Sequence, residues 1–223
     1  MKTSIIVLAA GASRRMGQPK PLLDFDGETC LSLVLQACFG SRAEETILVL
    51  GADADAVRAE ADRCSKGQPE DRLVIAVNEQ YERGQTSSLK VGLEAMSGAS
   101  DAFVLLPVDL PLVTSADIDA LIERHEAKPR GRSIFVASFE NQRGHPVLFS
   151  DVHRAPILEL GDDEPLNGYV NLREGETELS ALNNPGVVTQ MNTPEQYRQA
   201  VASYRQRTGR GGRRGNRTGD LSP

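Results

Sequence analysis

Residues Ser4 to Lys20 read SIIVLAAGASRRMGQPK. The first part, Ser4 to Leu8, is apolar and rich in β-branched side chains, which predicts a buried strand. The part that follows is small and flexible around Gly11 and then basic at Arg15 and Lys20. Such a loop after a buried strand can bind a polyanion, because glycine lets backbone amides approach the ligand and the basic side chains supply countercharge. It matches neither the P-loop nor the GxGxxG pattern, and an ordinary turn with solvated basic residues has the same spacing.

The composition is that of a globular protein with one domain. The chain has 223 residues, of which 39% are hydrophobic and 25% charged, enough to bury a substantial core. No apolar run approaches the roughly 20 residues of a membrane helix, and the N-terminus lacks a convincing signal peptide. The three cysteines, Cys30, Cys38 and Cys64, have no CxxC spacing, which is typical of reduced thiols and not of metal ligands. We therefore expect a cytoplasmic protein with no membrane contact.

Charge is distributed unevenly along the chain. The net charge is −6, but residues 205–223 hold six arginines and one acid, so residues 1–204 carry −11. An acidic body with one basic loop suits a small anionic ligand better than a nucleic acid, so no nucleic-acid partner is expected. The last 19 residues are rich in arginine and glycine, which predicts a disordered tail, 205–223, after a single domain spanning 1–204. That tail is either a solvated extension or a contact for RNA or another acidic partner.

Apolar runs alternate with amphipathic segments over most of the chain. The predicted strands are Ser4–Leu8, Thr46–Leu50, Leu73–Val77, Ala102–Pro107 and Ser133–Ser138, with Arg143–Phe149 beginning in a turn and re-entering the sheet. The predicted helices are Thr29–Phe39, Asp53–Lys66, Thr86–Met96, the segment from the N-cap Thr114 to His125, Val152–Leu160 and Pro194–Tyr204. This alternation predicts a three-layer α/β/α fold around a mostly parallel sheet.

Polar residues follow several of these strands, at what would be one edge of the sheet. Asp109 comes after the fourth strand and can bind Mg²⁺, a hard cation that takes oxygen ligands. Asn192, before the last helix, can add a second, neutral oxygen. Asn78, Gly84 and Ser88 suit recognition of a base edge, a ribose or a phosphate. Turn formation and helix capping account for the same residues without a ligand.

The remaining candidate site residue is a histidine. His145 lies in a Gly-His-Pro turn beside the sheet, where it is either structural or a contact for a second substrate. No Ser-His-Asp or Cys-His arrangement is evident in the sequence, which argues against covalent catalysis.

The stretch Leu8–Lys20, LAAGASRRMGQPK, resembles the signature of the MobA-like nucleotidyltransferases, which share the glycosyltransferase-A-type fold of sugar-nucleotide pyrophosphorylases. Within this family it looks closest to the molybdenum cofactor cytidylyltransferases, because it reads LAAG where guanylyltransferases more often have LAGG. The resemblance extends through Asn78, GQTSSLKVGL, PVDLP, RGHPVLF and the Asn192–Glu195 element, and covers residues 3–204.

The resemblance implies transfer of a nucleoside monophosphate from an NTP, most simply CTP, to the phosphate of molybdopterin, with release of pyrophosphate. It implies that Lys20, Arg15 and Asp109 are catalytic and that Asp109 and Asn192 hold Mg²⁺. The acceptor would contact His145, and a molybdenum hydroxylase is a candidate protein partner. The nucleotide would contact Leu8, Ala9, Ala10, Gly11, Ala12, Ser13, Lys20, Asn78, Gly84 and Ser88.

Two segments depart from the cytidylyltransferase pattern. After the Gly-His-Pro turn the chain reads GDDEPLNGYVNL, without the Ala-Arg of the Gly-Asp-x-Gly-Ala-Arg-like segment thought to face the acceptor in the family. The usual Asp-Ile-Asp-Thr-Pro element reads Gln190-Met191-Asn192-Thr193-Pro194, with an amide in place of the second acid. Two alternatives therefore stay open. One is a transferase for a sugar 1-phosphate or other small phosphate, and the other is a catalytically silent nucleotide-binding accessory protein for a molybdenum enzyme.

Overall fold

The computed structural model describes residues 1–98, 100–127 and 131–209. The strands are β1 (Thr3–Ala9), β2 (Asp24–Phe25), β3 (Glu28–Thr29), β4 (Glu45–Leu50), β5 (Leu73–Val77), β6 (Ala102–Pro107), β7 (Ile134–Phe139), β8 (Gln142–Ser150) and β9 (Thr177–Ala181). The helices are α1 (Cys30–Phe39), α2 (Ala54–Cys64), α3 (Gln85–Ala95), α4 (Ser115–Glu126), α5 (Arg154–Leu158), α6 (Leu166–Asn171) and α7 (Pro194–Thr208). None of the helices in the described residues is long and apolar enough to cross a lipid bilayer.

β1 lies inside a seven-stranded sheet whose order is β5-β4-β1-β6-β8-β7-β9. It pairs in parallel with β4 and β6, so that Leu8 lies between Val49 and Pro107. β8 runs antiparallel to both of its neighbours, β6 and β7. Because β1, β4, β5 and β6 are parallel, the loops that follow them lie along one edge of the sheet. That edge brings together the segments after Ala9, Val77 and Pro107.

The two faces of β1 pack into two separate cores. Ile5 and Val7 belong to the core that the sheet forms with α1, α2, α4 and α7. Ile6 and Leu8 belong to the core that it forms with α3, α5 and α6. Successive side chains of a strand point to opposite faces, so a strand without polar residues needs cover on both. The predicted three-layer α/β/α fold with a mostly parallel sheet is confirmed.

The edge of the sheet beyond β6 differs in detail from the prediction. We expected a turn at Arg143, but β8 is continuous from Gln142. The turn lies just before the strand begins. Glu140 and Asn141 both have left-handed backbones, with φ of 49° and 65°, and connect β7 to β8 as a tight hairpin. β9 was not predicted, since its sequence TELSA is short and lacks a continuous apolar run.

α7 ends at Thr208, four residues beyond the predicted end at Tyr204. The added turn is held by polar contacts to the body of the protein. Arg205 forms an ion pair with Asp26 at 2.6 Å, and Arg207 donates a hydrogen bond to the carbonyl of Leu112 at 2.7 Å. Residues 205–208 are thus helical, and the predicted disorder of residues 210–223 lies outside the described residues.

Replacing Gly92 in α3 by alanine should destabilise the fold. A Cβ there would lie 2.5 Å from Cγ2 of Ile6 and 3.1 Å from Cγ2 of Val49. Overpacking of about 1–3 kcal/mol should outweigh the gain of up to about 1 kcal/mol in helix propensity. Gly168→Ala in α6 is the control, since a Cβ there meets nothing within 4 Å. Urea unfolding should show a lower free energy of unfolding for Gly92→Ala and not for Gly168→Ala. Equal stability of the two variants would contradict this packing.

Candidate active site

The loop that follows β1 is folded around Ser13. The Ser13 backbone is left-handed, with φ of 49°, and so is that of Gly17, with φ of 69°. The Ser13 carbonyl accepts a hydrogen bond from the amide of Met16 at 2.8 Å, and its hydroxyl accepts one from the amide of Lys20 at 3.0 Å. These contacts return the chain toward the sheet, so that Lys20 lies beside the carboxyl end of β6.

A cleft of about 360 Å³ opens at this edge of the sheet. Its walls are the end of β1 and its loop, the segment that leads into α3, the end of β6 and one residue before α7. The lining residues are Leu8, Ala9, Ala10, Gly11, Ser13, Arg14, Arg15, Met16, Lys20, Pro21, Tyr81, Gly84, Gln85, Ser88, Pro107, Val108, Asp109 and Asn192. We call this the first cleft.

Lys20 joins the two predicted metal ligands. Its Nζ donates to Oδ2 of Asp109 at 2.9 Å and to Oδ1 of Asn192 at 2.8 Å. Asn192 is held near Asp109 by its neighbour, because the amide of Met191 donates to the carbonyl of Asp109 at 3.1 Å. Oδ1 of Asp109 is buried and has no hydrogen-bond partner. The ammonium group of Lys20 therefore holds Oδ2 of Asp109 and Oδ1 of Asn192 close together, while Oδ1 of Asp109 has no hydrogen-bond partner.

This arrangement fits a divalent cation bound jointly with a substrate. A carboxylate and an amide oxygen are hard ligands of the kind that Mg²⁺ takes, and the remaining positions of such an ion are usually filled by water and phosphate oxygens. The described residues contain no group of three or more His, Cys, Asp or Glu side chains able to hold a metal by themselves. Asp109 and Asn192 are thus the residues that would hold an ion here.

The start of α3 forms one wall of the first cleft, through Gly84, Gln85 and Ser88. Gly84 precedes the helix with φ of 132° and ψ of 170°, and no side chain caps the helix. Asn78 lies behind this wall, where its Nδ2 donates to the hydroxyls of Ser87 and Ser88 at 2.9 Å and its Oδ1 accepts from the amide of Gln80 at 2.9 Å. Asn78 therefore shapes the wall, while its predicted direct contact with a nucleotide stays a prediction.

A second cleft, of about 420 Å³, also has Asp109 in its lining. It shares Gln85, Pro107, Asp109 and Asn192 with the first cleft, and residues 162–167 form its outer wall. His145 also lines it and borders a further cavity of about 410 Å³ that contains Arg143.

The surroundings of His145 favour the neutral form of its imidazole. Burial lowers the pKa of the imidazole, although the charge of Asp109 and a hydrogen bond with the backbone of Leu105 act in the opposite direction. The buried Nδ1 of His145 has no hydrogen-bond partner. The predicted contact with a second substrate would thus be made by an uncharged ring.

The cysteine closest to the site is not a nucleophile. Cys30 is buried under the end of β6, and its thiol donates to the carbonyl of Val108 at 3.0 Å. Burial raises the pKa of this thiol well above its usual value, and the negative charge of Asp109 acts in the same direction. A thiolate at this position is therefore disfavoured.

Most of the predicted site residues meet in the two clefts, with two exceptions and one addition. Ala12 and Asn78 are absent from the lining of both clefts, and Arg14, at the rim of the first, pairs with Glu82 at 2.9 Å. Sequence reasoning missed Tyr81, which lines the first cleft from a short 3₁₀ turn before α3. An aromatic residue within the polar segment NEQYERGQ was the signal available.

The chain matches a known family model and is similar in sequence to known bacterial proteins. The family model for the MobA-like NTP transferase domain matches residues 5–177. The chain is 28% identical over 196 residues to the purine catabolism protein PucB of Bacillus subtilis, covering 86% of this chain and 92% of PucB. It is 29% identical over 189 residues to the bifunctional protein GlmU of Alkaliphilus metalliredigens, covering 82% of this chain but only 37% of GlmU.

Solved structures show the same architecture. Rv0371c from Mycobacterium tuberculosis is 28% identical, with a TM-score of 0.77, 90% of this chain and 97% of that chain being covered. A structure of Rv0371c in complex with manganese is matched with 26% identity and a TM-score of 0.74, covering 91% of this chain and all of that chain. A nucleotidyl transferase from Methanothermobacter, at 21% identity and a TM-score of 0.74, has the same fold, with 93% of this chain and 99% of that chain covered.

Gly11→Ala should leave the fold intact and weaken nucleotide binding. A Cβ at Gly11 meets nothing within 4 Å, so the free protein does not require glycine there, and stability should change by less than about 0.5 kcal/mol. In the first cleft the methyl would keep a phosphate away from the loop amides, which should raise the KM for nucleotide at least ~10-fold. Gly175→Ala, also in open space but remote from the cleft, is the matched control. An unchanged KM would show that no phosphate lies against Gly11.

Proposed function

The chain belongs to the MobA-like NTP transferase family, and we propose that it transfers CMP from CTP to the phosphate of the molybdopterin form of molybdenum cofactor. An oxygen of the acceptor phosphate attacks the α-phosphorus of CTP. A new P–O bond forms as the bond from the α-phosphorus to the bridging oxygen breaks, and pyrophosphate leaves. The product is a dinucleotide form of the cofactor.

The observation that carries this proposal is the position of Lys20, Asp109 and Asn192 at the junction of the two clefts. Nζ of Lys20 lies within 2.9 Å of Oδ2 of Asp109 and of Oδ1 of Asn192. Lys20 lines the first cleft, and Asp109 and Asn192 line both clefts. A triphosphate in the first cleft and an acceptor phosphate in the second would meet there. In-line attack needs the attacking and leaving oxygens on opposite sides of phosphorus, and substrates held in two different clefts could adopt that arrangement.

The chain supplies positioning and charge, and no side chain needs to form a covalent bond. The amides of residues 10–13 and the side chains of Arg15 and Lys20 would hold the triphosphate and stabilise the charge that develops on pyrophosphate. Asp109 and Asn192 would hold Mg²⁺, which, when bound, neutralises phosphate charge and polarises the α-phosphoryl group. The existence of a manganese complex of Rv0371c, a protein with the same fold, supports the proposal that this chain uses a divalent ion.

The base is assigned from the loop after β1. Ala10 stands where guanylyltransferases of the family more often have glycine, and its backbone carbonyl is fixed by the amide of Ala52 at 3.0 Å. Ala10 lines the first cleft, and a methyl group there would leave less room for a base than glycine would, which is the reason for proposing a pyrimidine. Tyr81 lines the same cleft and is available to pack against the base.

One observation favours a different acceptor. The wall of the second cleft carries Asp163 and Glu164, within the segment GDDEPLNGYVNL that lacks the Ala-Arg of the cytidylyltransferase pattern. Carboxylates accept hydrogen bonds from hydroxyl groups, so this wall also suits a sugar 1-phosphate or another small polyhydroxyl phosphate. Such an acceptor would use the same junction and the same release of pyrophosphate.

Lys20→Ala should reduce kcat/KM for pyrophosphate release at least ~10²-fold, as expected for the loss of one charged transition-state contact. It also leaves Asp109 without its cation, so thermal unfolding should be measured beside activity. Lys2→Ala removes a lysine from an exposed ion pair with Glu44 and should retain full activity. If kcat/KM of Lys20→Ala equals that of the unmodified protein, Lys20 has no part in the mechanism.

Pyrophosphate release should be measured with Mg²⁺ and each of the four NTPs, against molybdenum cofactor and a panel of sugar 1-phosphates. Release with CTP and molybdenum cofactor is the expected result. Release only with a sugar phosphate would show that the acceptor is a sugar phosphate and that the type of reaction is as proposed. Nucleotide binding without release in any pairing would contradict the proposal and favour the silent accessory protein.

A further inference from the structure

The turn at residues 161–164, Gly-Asp-Asp-Glu, forms part of the outer wall of the second cleft. Within the turn, the amide of Glu164 donates to the carbonyl of Gly161 at 3.1 Å, and Oε2 of Glu164 accepts from the amide of Gly161 at 2.7 Å. None of its side chains is buried in either core. Its position therefore depends on polar contacts with neighbouring elements and not on apolar packing.

Those contacts all come from α3 and the residues just before it. Nζ of Lys90 donates to Oδ1 of Asp162 at 3.0 Å and also to the carbonyl of Leu160. Nη1 of Arg83 donates to Oδ2 of the same carboxylate at 3.2 Å. Lys90 is mostly buried, with 19% of its side chain exposed, so water screens this ion pair less than a surface pair. These hydrogen bonds keep the pKa of Asp162 below its usual value, with the Lys90 contact first in size.

The turn also lies directly on the wall of the first cleft. A Cβ on Gly84 would lie 2.7 Å from the carbonyl oxygen of Asp162, so only glycine permits this approach. The hydroxyl of Thr86 donates to the carbonyl of Glu164. Gly84 and Gln85 line the first cleft, and Gln85 and Thr86 line the second. One short segment therefore faces the nucleotide on one side and carries the outer wall of the second cleft on the other.

We infer that Lys90 and Asp162 are positioning residues through which nucleotide binding at the start of α3 fixes the wall of the second cleft. This rests on the proposed function, since it requires a nucleotide in the first cleft and an acceptor in the second. Neither residue touches the reacting atoms.

Hydrogen–deuterium exchange of the full chain tests this without an acceptor. Exchange is compared with and without Mg²⁺ and each of the four NTPs, in a peptide covering residues 8–20 and one covering residues 159–167. In the unmodified protein we expect at least one NTP to slow exchange in both peptides, the second by at least about threefold. In Lys90→Met, protection of residues 8–20 should remain and protection of residues 159–167 should be lost.

Two controls separate positioning from a general loss of structure. Lys2→Met removes the lysine of an exposed ion pair remote from both clefts and should behave like the unmodified protein. Lys90→Arg keeps a cation within reach of Asp162 and should restore most of the protection of residues 159–167. Protection that is lost equally in Lys90→Met and Lys90→Arg, or lost in both peptides, would contradict a role carried by this ion pair.

The outcomes also distinguish this inference from the proposed function. Protection of residues 8–20 without any change at residues 159–167 in the unmodified protein overturns the inference and leaves the proposed function standing. Absence of protection at residues 8–20 with all four NTPs overturns both. With the acceptor that supports pyrophosphate release, Lys90→Met should raise the KM for acceptor at least ~10-fold and leave the KM for nucleotide within about twofold. Equal changes in both KM values would contradict the inference.

Discussion

The ammonium group of Lys20 joins parts of the chain that are distant in sequence. Its partners Asp109 and Asn192 lie 89 and 172 residues further on, and the rest of the site is arranged around these two hydrogen bonds. The side chains of Lys20 and Asp109 are only 17% and 16% exposed, so removing the cation would leave a poorly solvated carboxylate. The left-handed turn at Ser13 brings Lys20 back to the sheet, and the parallel pairing of β1 with β6 places Asp109 beside it.

This junction divides the edge of the sheet into two clefts with different electrostatic character. The first contains Arg14, Arg15 and Lys20, which suit a triphosphate. The second is bordered by a neutral His145 and by an acidic turn. A nucleotide and an acceptor would therefore be recognised by different chemistry and meet where Lys20 lies. The start of α3 belongs to both clefts, since Gln85 lines each of them, so a displacement of this segment would change both.

Much of the fold was predictable, because β1, β4 and β6 are apolar on both faces and can only be covered by two layers of helices. The carboxyl edge of the parallel strands likewise predicted that the loop after β1 and Asp109 would meet. β9 was not predicted, because an edge strand of five residues, TELSA, needs no continuous apolar run. The contact between Lys20 and Asn192 depends on the path of the chain after the sheet, which residue spacing does not encode, and it was not predicted. Tyr81 was missed although an aromatic residue within the polar segment NEQYERGQ was a signal in the sequence.

Transfer of label from CTP that carries ³²P at the α-phosphorus tests the central claim most directly. With Mg²⁺ and molybdenum cofactor, the label should appear in the cofactor product, with none on the protein and none in pyrophosphate, because the acceptor phosphate attacks the α-phosphorus without a protein nucleophile. Label that accumulates on the protein, or that appears only in free CMP, would contradict direct transfer at the junction of Lys20, Asp109 and Asn192.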